Sequence, residues 1–262
     1  MREYPQPVRR IAGVLTVALF LTGCGGESAG TDPGISTPPP ITSSRYVVDF
    51  SKERDLSKFR VSDWTTWSLG TTFSPTNVAL VNGELELTLT QVQQSDGSFK
   101  NTGGEVATLQ EFGYGTFEWV AKMASSGGVP TSGNISAVFV YKVDSTSSFD
   151  TEIDFEQQGN RPDVVNLTTW TQPLFGTQET SEVPLSGQFD GYHTYTFTWA
   201  PSVITFAIDG VVVRQHYRQI GSITPVPAMM NLWGTNDHAW GGPATPGTVR
   251  MYVRSFTWTP PG

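Results

Sequence analysis

The sequence predicts an all-β protein, either an antiparallel sandwich or a barrel, on three observations. Apolar and polar residues alternate with period two after Cys24, as in "GELELTLTQV" (residues 83–92), "HTYTFTW" (193–199) and "VRMYVRSFTW" (249–258). The dipeptide Asp209-Gly210 in "ITFAIDGVVVRQ" separates two apolar runs, which is a strong β-hairpin signal. No convincing amphipathic helical pattern follows Cys24, so strands joined by turns are expected to form the domain.

Residues 1–23 are expected to form a signal peptide. The basic "VRR" precedes "IAGVLTVALFLTG", which is apolar but too short to span a membrane. The segment ends in "LTGC", which resembles the lipobox of bacterial lipoproteins and implies cleavage before Cys24 and acylation of its thiol. An ordinary signal peptide with a chance cysteine is the alternative. We therefore expect a lipid-anchored protein of the bacterial cell envelope that faces outside the cytoplasm.

Residues 24–44 are expected to be a tether and residues 45–262 a single folded domain. The tether is rich in Gly, Ser, Thr and Pro and has too few bulky apolar residues to bury a core. Cys24 is the only cysteine, which excludes an intramolecular disulfide and a cysteine-based metal site. We expect the domain to be a monomer.

Charge and composition limit the function classes. The net charge of −8 and the absence of a basic run exclude a typical nucleic-acid-binding surface. Aromatic residues make up 12% of the chain and charged residues only 15%, which favours a surface that stacks on neutral sugars. An aromatic-rich β core is the alternative for most of the tryptophans.

Three acids occupy alternate positions in "DTEIDFEQQG" (150–159). On a strand Glu152, Asp154 and Glu156 share one face, while Ile153 and Phe155 face the core. The two glutamate Cα atoms would lie about 13 Å apart, and this spacing allows both retaining and inverting glycosidase geometry. Crowded carboxylates raise at least one pKa, as a general acid requires. A solvated outer face is the alternative.

"EIDFE" resembles the Glu-x-Asp-x-Glu signature of glycoside hydrolase family 16. Three further blocks are similar to the family in the same order: "GGEVATLQEFGYGTFEWVAKM", "DGYHTYTFTWAPSVITFAIDGVVV" and "PAMMNLWGTNDHAWGG". The resemblance implies a β-jelly-roll sandwich of two curved antiparallel sheets with a substrate cleft on the concave face. It also implies hydrolysis of internal β-glycosidic bonds of a polysaccharide with retention of configuration.

The resemblance implies a role for each acid. Glu152 is expected to be the nucleophile, Asp154 the assisting residue and Glu156 the general acid/base. The motif has one residue between Asp154 and Glu156, without the extra residue usual in laminarinases and agarases. This favours a β-1,3-1,4-glucan or a related glucan or exopolysaccharide as substrate.

Five residues match substrate-binding positions of the family or share their face: Glu105, Asn166, Trp170, Asn231 and Trp233. Trp233 could instead belong to the core, and Glu105 could be a surface acid. His193 is expected to be structural, with no acid adjacent in sequence, and His238 lies in a loop that could border the cleft.

The sequence departs from relatives at two further positions. Ala107 replaces an arginine that lichenases carry, which removes a sugar contact. Arg254 stands where many relatives have a calcium-binding aspartate. We therefore expect no metal and no cofactor. Two alternatives use the same site: a transglycosylase that passes the glycosyl unit to a sugar, and a carbohydrate-binding module, which would be expected to lack one of the acids.

Overall fold

The structure is a computed structural model that describes residues 44–66, 70–124, 131–144, 149–170, 178–185, 191–217 and 225–262. The expected signal peptide, Cys24 and nearly all of the tether lie outside these residues. No helix within the described ranges is long and apolar enough to cross a membrane.

Nearly all regular structure in the described residues is β-strand, apart from one 3₁₀ turn at Pro75–Asn77. The strands are β1 Tyr46–Asp49, β2 Phe59–Val61, β3 Trp64–Thr66, β4 Thr71–Phe73, β5 Val78–Val81, β6 Glu84–Gln93, β7 Phe99–Phe112, β8 Gly115–Lys122, β9 Asn134–Asp144, β10 Phe149–Gln158, β11 Val164–Trp170, β12 Gln178–Pro184, β13 His193–Ala200, β14 Val203–Ile208, β15 Val211–His216, β16 Val226–Gly234 and β17 Gly247–Thr259.

The strands form two sheets, which are antiparallel apart from the parallel pairing of β4 with the first residues of β7. The front sheet has the order β2–β7–β16–β9–β10–β11–β12. The back sheet has the order β5–β6–β17–β8–β13–β14–β15, and β1 also pairs with β17. Strand β7 belongs to both sheets, because its first residues pair with β6 and its later residues pair with β2 and β16.

The core lies between the two sheets and is filled by the apolar half of each alternating strand. Leu85, Leu87 and Leu89 of β6 are fully buried, as the period-two pattern predicts. Across the interface, the ring of Phe155 in the front sheet lies 6.4 Å from Phe197 in the back sheet, centroid to centroid. The prediction of an all-β sandwich is confirmed, and the architecture is the expected β-jelly-roll.

The hairpin predicted at Asp209-Gly210 joins β14 to β15. Both residues have positive φ, 51° and 77°, as a type I′ turn requires. The Asp209 carboxylate also accepts the backbone N–H of Thr194 at 2.8 Å and lies 2.7 Å from Nδ1 of His193. His193 is thus paired with an acid that is distant in sequence and adjacent in space, and it ties β13 to this hairpin.

Candidate active site

Strand β10 carries the three acids in the middle of the front sheet, between β9 and β11. Its register with β9 is continuous from Phe149 to Gln158, so no bulge interrupts it. Ile153 and Phe155 are fully buried in the core, which places Glu152, Asp154 and Glu156 together on the outer face. We call this outer side of the front sheet the ladder face.

Burial sets the ionisation of the acids. Asp154 is only 4% exposed. Its pKa is raised well above the usual value, first by burial and then by the neighbouring Glu152 and Glu156 carboxylates. Burial raises the pKa of Glu156 to about 7. The acids are therefore not a solvated row of surface charges, and Glu156 can hold a transferable proton near neutral pH.

Cross-strand pairing sets the neighbours of each acid, because residues directly opposite each other in a sheet share a face. One row crosses the ladder face through Glu156, and its members are Glu105, Asn231, Ala137, Glu156, Asn166 and Glu182. A second row passes through Asp154, and its members are Arg60, Ala107, Met229, Phe139, Asp154, Thr168 and Thr180. These rows run across the strands.

Two asparagines of the Glu156 row have buried polar atoms without partners among the described residues. Both amide atoms of Asn166 and the Oδ1 of Asn231 lack a hydrogen bond there. A buried polar group left unpaired costs about 1–3 kcal/mol, so such groups call for a ligand or water. Asn166 lies directly opposite Glu156. Both asparagines were predicted from the sequence to lie in the substrate site, and their unpaired amide atoms fit that prediction.

Glu105 is a buried hydrogen-bond acceptor and not a surface acid. It is 4% exposed and accepts bonds from Ser62 Oγ at 2.6 Å and Asn231 Nδ2 at 3.1 Å. Trp64 Nε1 donates at 3.4 Å to Glu105 Oε1, the oxygen that also accepts from Ser62. Burial raises the pKa of Glu105, and the three hydrogen bonds oppose this. Its contacts in the described structure are to protein groups that line the ladder face.

Trp170 lies directly opposite Glu152, at the end of β11. Its indole N–H donates a hydrogen bond to Asp154, which lowers the pKa of that carboxyl and partly offsets the effect of burial. Trp170 is partly exposed, so its ring can also contact a substrate. The structure therefore connects this tryptophan to the central acid, which its spacing in the sequence did not reveal.

Trp233 lies at one end of the ladder face and is only 7% exposed. It packs with Phe73 and Ile135, and Trp240 covers the cluster from the following loop. Gln158 fastens this loop to β10, because its Oε1 accepts the buried Gly241 N–H at 2.9 Å. Packing therefore explains most of the Trp233 surface, and stacking of a sugar on it stays a prediction. His238 is exposed in the same loop.

Arg254 was expected to replace a calcium-binding aspartate of the family. In the structure it makes contacts in the back sheet. Its Nε donates to Glu84 Oε1 at 2.8 Å, and its guanidinium carbon lies 3.5 Å from the centre of the Tyr192 ring. Within the described ranges, no group of three or more His, Cys, Asp or Glu side chains could hold a metal ion.

The β2 end of the ladder face is lined by three residues that were not predicted from the sequence, Arg60, Ser62 and Trp64. Arg60 lies opposite Ala107, and Ser62 and Trp64 bind Glu105. The alternation in "RVSDW" (60–64) could have indicated that these three share a face. It could not have indicated which strand they pair with.

The sequence matches a family profile described as Glycosyl hydrolases family 16 over residues 66–249. A beta-glucanase of Acetivibrio thermocellus is 31% identical over 204 residues, 77% of this chain and 58% of that protein. An endo-1,3-1,4-beta-glycanase, ExoK, of Rhizobium meliloti is 31% identical over 168 residues, 63% of this chain and 59% of that protein.

Among solved structures, a Bacillus licheniformis beta-glucanase superposes with a TM-score of 0.72 at 25% identity. The alignment covers 84% of this chain and all of that one. The chain spans a little over half the length of the Acetivibrio beta-glucanases it matches.

Proposed function

The chain belongs to glycosyl hydrolases family 16, and from this premise we propose that it is an endo-β-glucanase that cleaves internal β-glycosidic bonds with retention of configuration. One observation carries the proposal. Three acids share one face of an unbulged central strand, and burial raises the pKa of Glu156 to about 7. An acid that is protonated near neutral pH, beside a second glutamate on the same face, is what double displacement at a sugar requires.

In the first step a Glu152 carboxylate oxygen attacks the anomeric carbon. The bond from that carbon to the bridging oxygen breaks, and Glu156 gives its proton to the departing oxygen. In the second step Glu156, now a carboxylate, takes a proton from water. The water oxygen attacks the anomeric carbon, the bond to Glu152 breaks, and both glutamates return to their starting states. Two inversions give net retention.

Asp154 assists from between the two glutamates. Its raised pKa keeps a proton available to share with a neighbouring carboxylate. A hydrogen bond from protonated Asp154 to Glu152 would stabilise the negative charge of the Glu152 carboxylate. It would thereby lower the barrier to breaking the bond between Glu152 and the anomeric carbon in the second step. The unpaired amide atoms of Asn166 and the unpaired Oδ1 of Asn231 supply hydrogen bonds for sugar hydroxyls on either side of Glu156.

A reducing-sugar assay on lichenan tests the proposal. Wild-type protein releases reducing ends, whereas Glu152→Gln abolishes turnover because the nucleophile is gone. Glu156→Gln loses at least about 10²–10⁴-fold, the usual contribution of general acid–base catalysis. Glu118→Gln, on the outer face of the back sheet, is the control and keeps full activity. Near-wild-type activity of Glu152→Gln would overturn the assignment.

We propose a mixed-linkage β-1,3-1,4-glucan or a closely related polymer as the substrate. The unbulged β10 supports this, as does the similarity to a protein named endo-1,3-1,4-beta-glycanase. The prediction is faster cleavage of lichenan than of laminarin at equal mass concentration. Faster cleavage of laminarin would refute this substrate class, but it would not affect the proposed roles of the three acids.

Transglycosylation is the second candidate, because it shares the first step and differs only in the acceptor. High concentrations of an oligosaccharide acceptor would then give products longer than the substrate, which mass spectrometry detects. A pure binding module is less well supported, since all three acids are present and buried acids are costly to keep.

We further propose that Cys24 is lipidated and holds the protein on a membrane facing outside the cytoplasm. The sequence "LTGC" after a short apolar segment supports this. An alkyne fatty acid should label the wild type and not Cys24→Ser. Equal labelling of both would reject acylation at this residue.

A further inference from the structure

A fully buried histidine, His216, ends β15, the last strand of the back sheet. It lies opposite Ile204 of β14, which is also fully buried and faces the core. The alternation of the sheet therefore places an imidazole where an aliphatic side chain would be expected. The ring of His216 meets that of Phe206 edge-on, with the ring centroids 5.0 Å apart. None of the proposed catalytic steps uses this histidine.

The imidazole of His216 bonds to two strands of the opposite sheet. Its Nδ1 lies 3.1 Å from Oγ1 of Thr169 on β11, and its Nε2 lies 3.0 Å from Oγ of Ser181 on β12. A neutral imidazole has one N–H donor and one acceptor nitrogen, and each hydroxyl can take the complementary role. Because β12 and β15 share no backbone pairing among the described residues, these two bonds link the sheets at their edge.

This link between the sheets fixes geometry more than it adds stability. A hydrogen bond inside a protein adds little net stability, because each partner gives up a bond to water. Its requirement for distance and direction is strict, and a fully paired buried network favours a single arrangement of the groups that it joins. The two bonds of His216 therefore set how β11 and β12 lie against the back sheet.

Thr169 connects the histidine to the acids. Thr169 is fully buried and faces the core, whereas the next residue, Trp170, faces the ladder face. Trp170 is the last residue of β11, lies opposite Glu152 and donates its indole N–H to Asp154. Strand ends open more easily than strand centres, so the placement of an end residue depends on how its neighbour is held. The bond from His216 holds β11 at the residue that precedes Trp170.

The second bond of His216 holds a different part of the sheet. Ser181 pairs with Leu167, which lies on β11 farther from the strand end than Thr169 does. Its loss would loosen β12 and would leave the residue beside Trp170 bonded to the histidine. The two ring nitrogens thus have separable effects on the catalytic face.

We propose that His216 is a positioning residue for the catalytic face. Its Nδ1 bond to Thr169 holds the end of β11 and thereby keeps the Trp170 indole against Asp154. Its Nε2 bond to Ser181 holds only the edge of the sandwich. The inference rests on the proposed function for the effect on turnover, whereas the link to Trp170 can be measured without activity.

Asparagine and glutamine in place of the histidine separate the two bonds. The amide atoms of asparagine lie near the position of Nδ1 and those of glutamine near the position of Nε2, and an amide can donate or accept. His216→Asn, which keeps the Thr169 bond, should retain kcat on lichenan within about twofold. His216→Gln, which keeps only the Ser181 bond, should lower kcat by about two- to tenfold, the worth of one hydrogen bond, with KM unchanged within about twofold.

The two hydroxyls give a second, independent pair of variants that leaves His216 in place. Thr169→Val should lower kcat as His216→Gln does, whereas Ser181→Ala is the matched control and should keep kcat. Urea denaturation shows whether each variant is folded at the assay temperature, and either pair alone decides the question. Equal kcat within a pair would overturn the positioning role and leave His216 as a link between the sheets only.

The indole N–H resonance of Trp170, assigned by its loss in Trp170→Phe, reports the bond to Asp154 without substrate. In proton–nitrogen correlation spectra it should shift in His216→Gln and Thr169→Val and stay in place in His216→Asn and Ser181→Ala. An unmoved resonance in all four variants would overturn the link. Absence of hydrolysis by the wild type, with these shifts intact, would remove the proposed enzyme activity and keep the link.

Discussion

In the proposed mechanism, the ionisation of Glu156 controls the first chemical step. This residue must be protonated to assist the leaving oxygen, and burial raises its pKa to about 7. Turnover of unactivated glucan should therefore fall above pH 7, by about tenfold per pH unit once the carboxylate form dominates. A pH series of kcat/KM on lichenan measures this alkaline limb.

The control for the pH dependence is Glu156→Ala acting on an activated aryl glycoside, whose leaving group needs no proton. Its glycosylation step should lose the alkaline limb, because the titrating acid is absent. An unchanged limb in this variant would assign the titration to another group.

A substitution at Trp170 can distinguish two roles of this residue, positioning Asp154 and stacking on a sugar. Trp170→Phe keeps an aromatic ring and removes the N–H that donates to Asp154. Loss of one hydrogen bond to the neutral carboxyl is worth about 0.5–1.5 kcal/mol, so kcat should fall roughly two- to tenfold. KM should stay within about twofold because most of the ring surface remains. A higher KM with unchanged kcat would assign Trp170 to substrate binding alone.

At the residue scale, the acids could be predicted and their partners could not. Alternation along a strand places Glu152, Asp154 and Glu156 on one face whatever the neighbours are. The bond from Trp170 to Asp154 depends on the register between β10 and β11, which no local pattern reveals. The burial of Glu105 likewise depends on Ser62 and Trp64 arriving from a strand that is distant in sequence.

Among the elements, β10 is linked to the loop that carries Trp240 by one buried hydrogen bond. Gln158→Leu keeps the side-chain size but leaves the Gly241 N–H without its acceptor. We expect the free energy of unfolding to fall by about 1–3 kcal/mol, measured by urea denaturation. Gln215→Leu on β15, where the bond from Gln215 to Thr205 is exposed, is the control and should change less than about 0.5 kcal/mol. Equal effects of the two changes would mean that the Gly241 bond contributes no special stability.

Strand existence was predictable for β6, β13, β14, β15 and β17, where period two and the Asp209-Gly210 turn are explicit. The role of β7 in both sheets was not. Its passage from one sheet to the other relies on close backbone approach at Gly103, where an added Cβ would lie 2.3 Å from the Leu232 carbonyl oxygen. The sequence shows Gly103-Gly104 but not the partner that requires them.

For the molecule as a whole, the buried Glu156 should lower the free energy of unfolding as the pH rises above the acidic range. Glu156 has a folded-state pKa of about 7 against a reference of 4.5, so folding favours its protonated form. Below about pH 4.5 the group is protonated in both states and costs nothing. Between pH 4.5 and 7 its ionisation in the unfolded chain lowers the stability of the fold, and above pH 7 the full cost remains.

Glu156→Gln should therefore stabilise the protein at pH 8 and not at pH 4. One pKa unit corresponds to about 1.4 kcal/mol, and because Glu156 is partly exposed we expect a gain on the order of 1–2 kcal/mol. Urea denaturation at both pH values measures it, with Glu118→Gln as the control. A gain of the same size at pH 4 would show that lost ionisation is not its cause.

The fold class followed from the sequence because period two persists through most of the chain. Sandwich and barrel could not be distinguished by periodicity, since the choice depends on how β7 and β17 connect the sheets. The tryptophans show a similar limit. Trp119, Trp199 and Trp258 lie in the core, whereas Trp64 is exposed, although all follow similar alternating patterns.

The most direct test of the central claim, that Glu152 is the nucleophile and Glu156 the acid/base of a retaining reaction, is the anomeric configuration of azide-rescue products read by proton NMR. With an activated aryl β-glycoside and added azide, Glu156→Ala should give the β-glycosyl azide, because azide attacks the intermediate from the face that Glu156 vacated. Glu152→Ala should give the α-glycosyl azide, because azide replaces the nucleophile and no covalent intermediate forms. The opposite assignment of the two products, or the same anomer from both variants, would contradict the account.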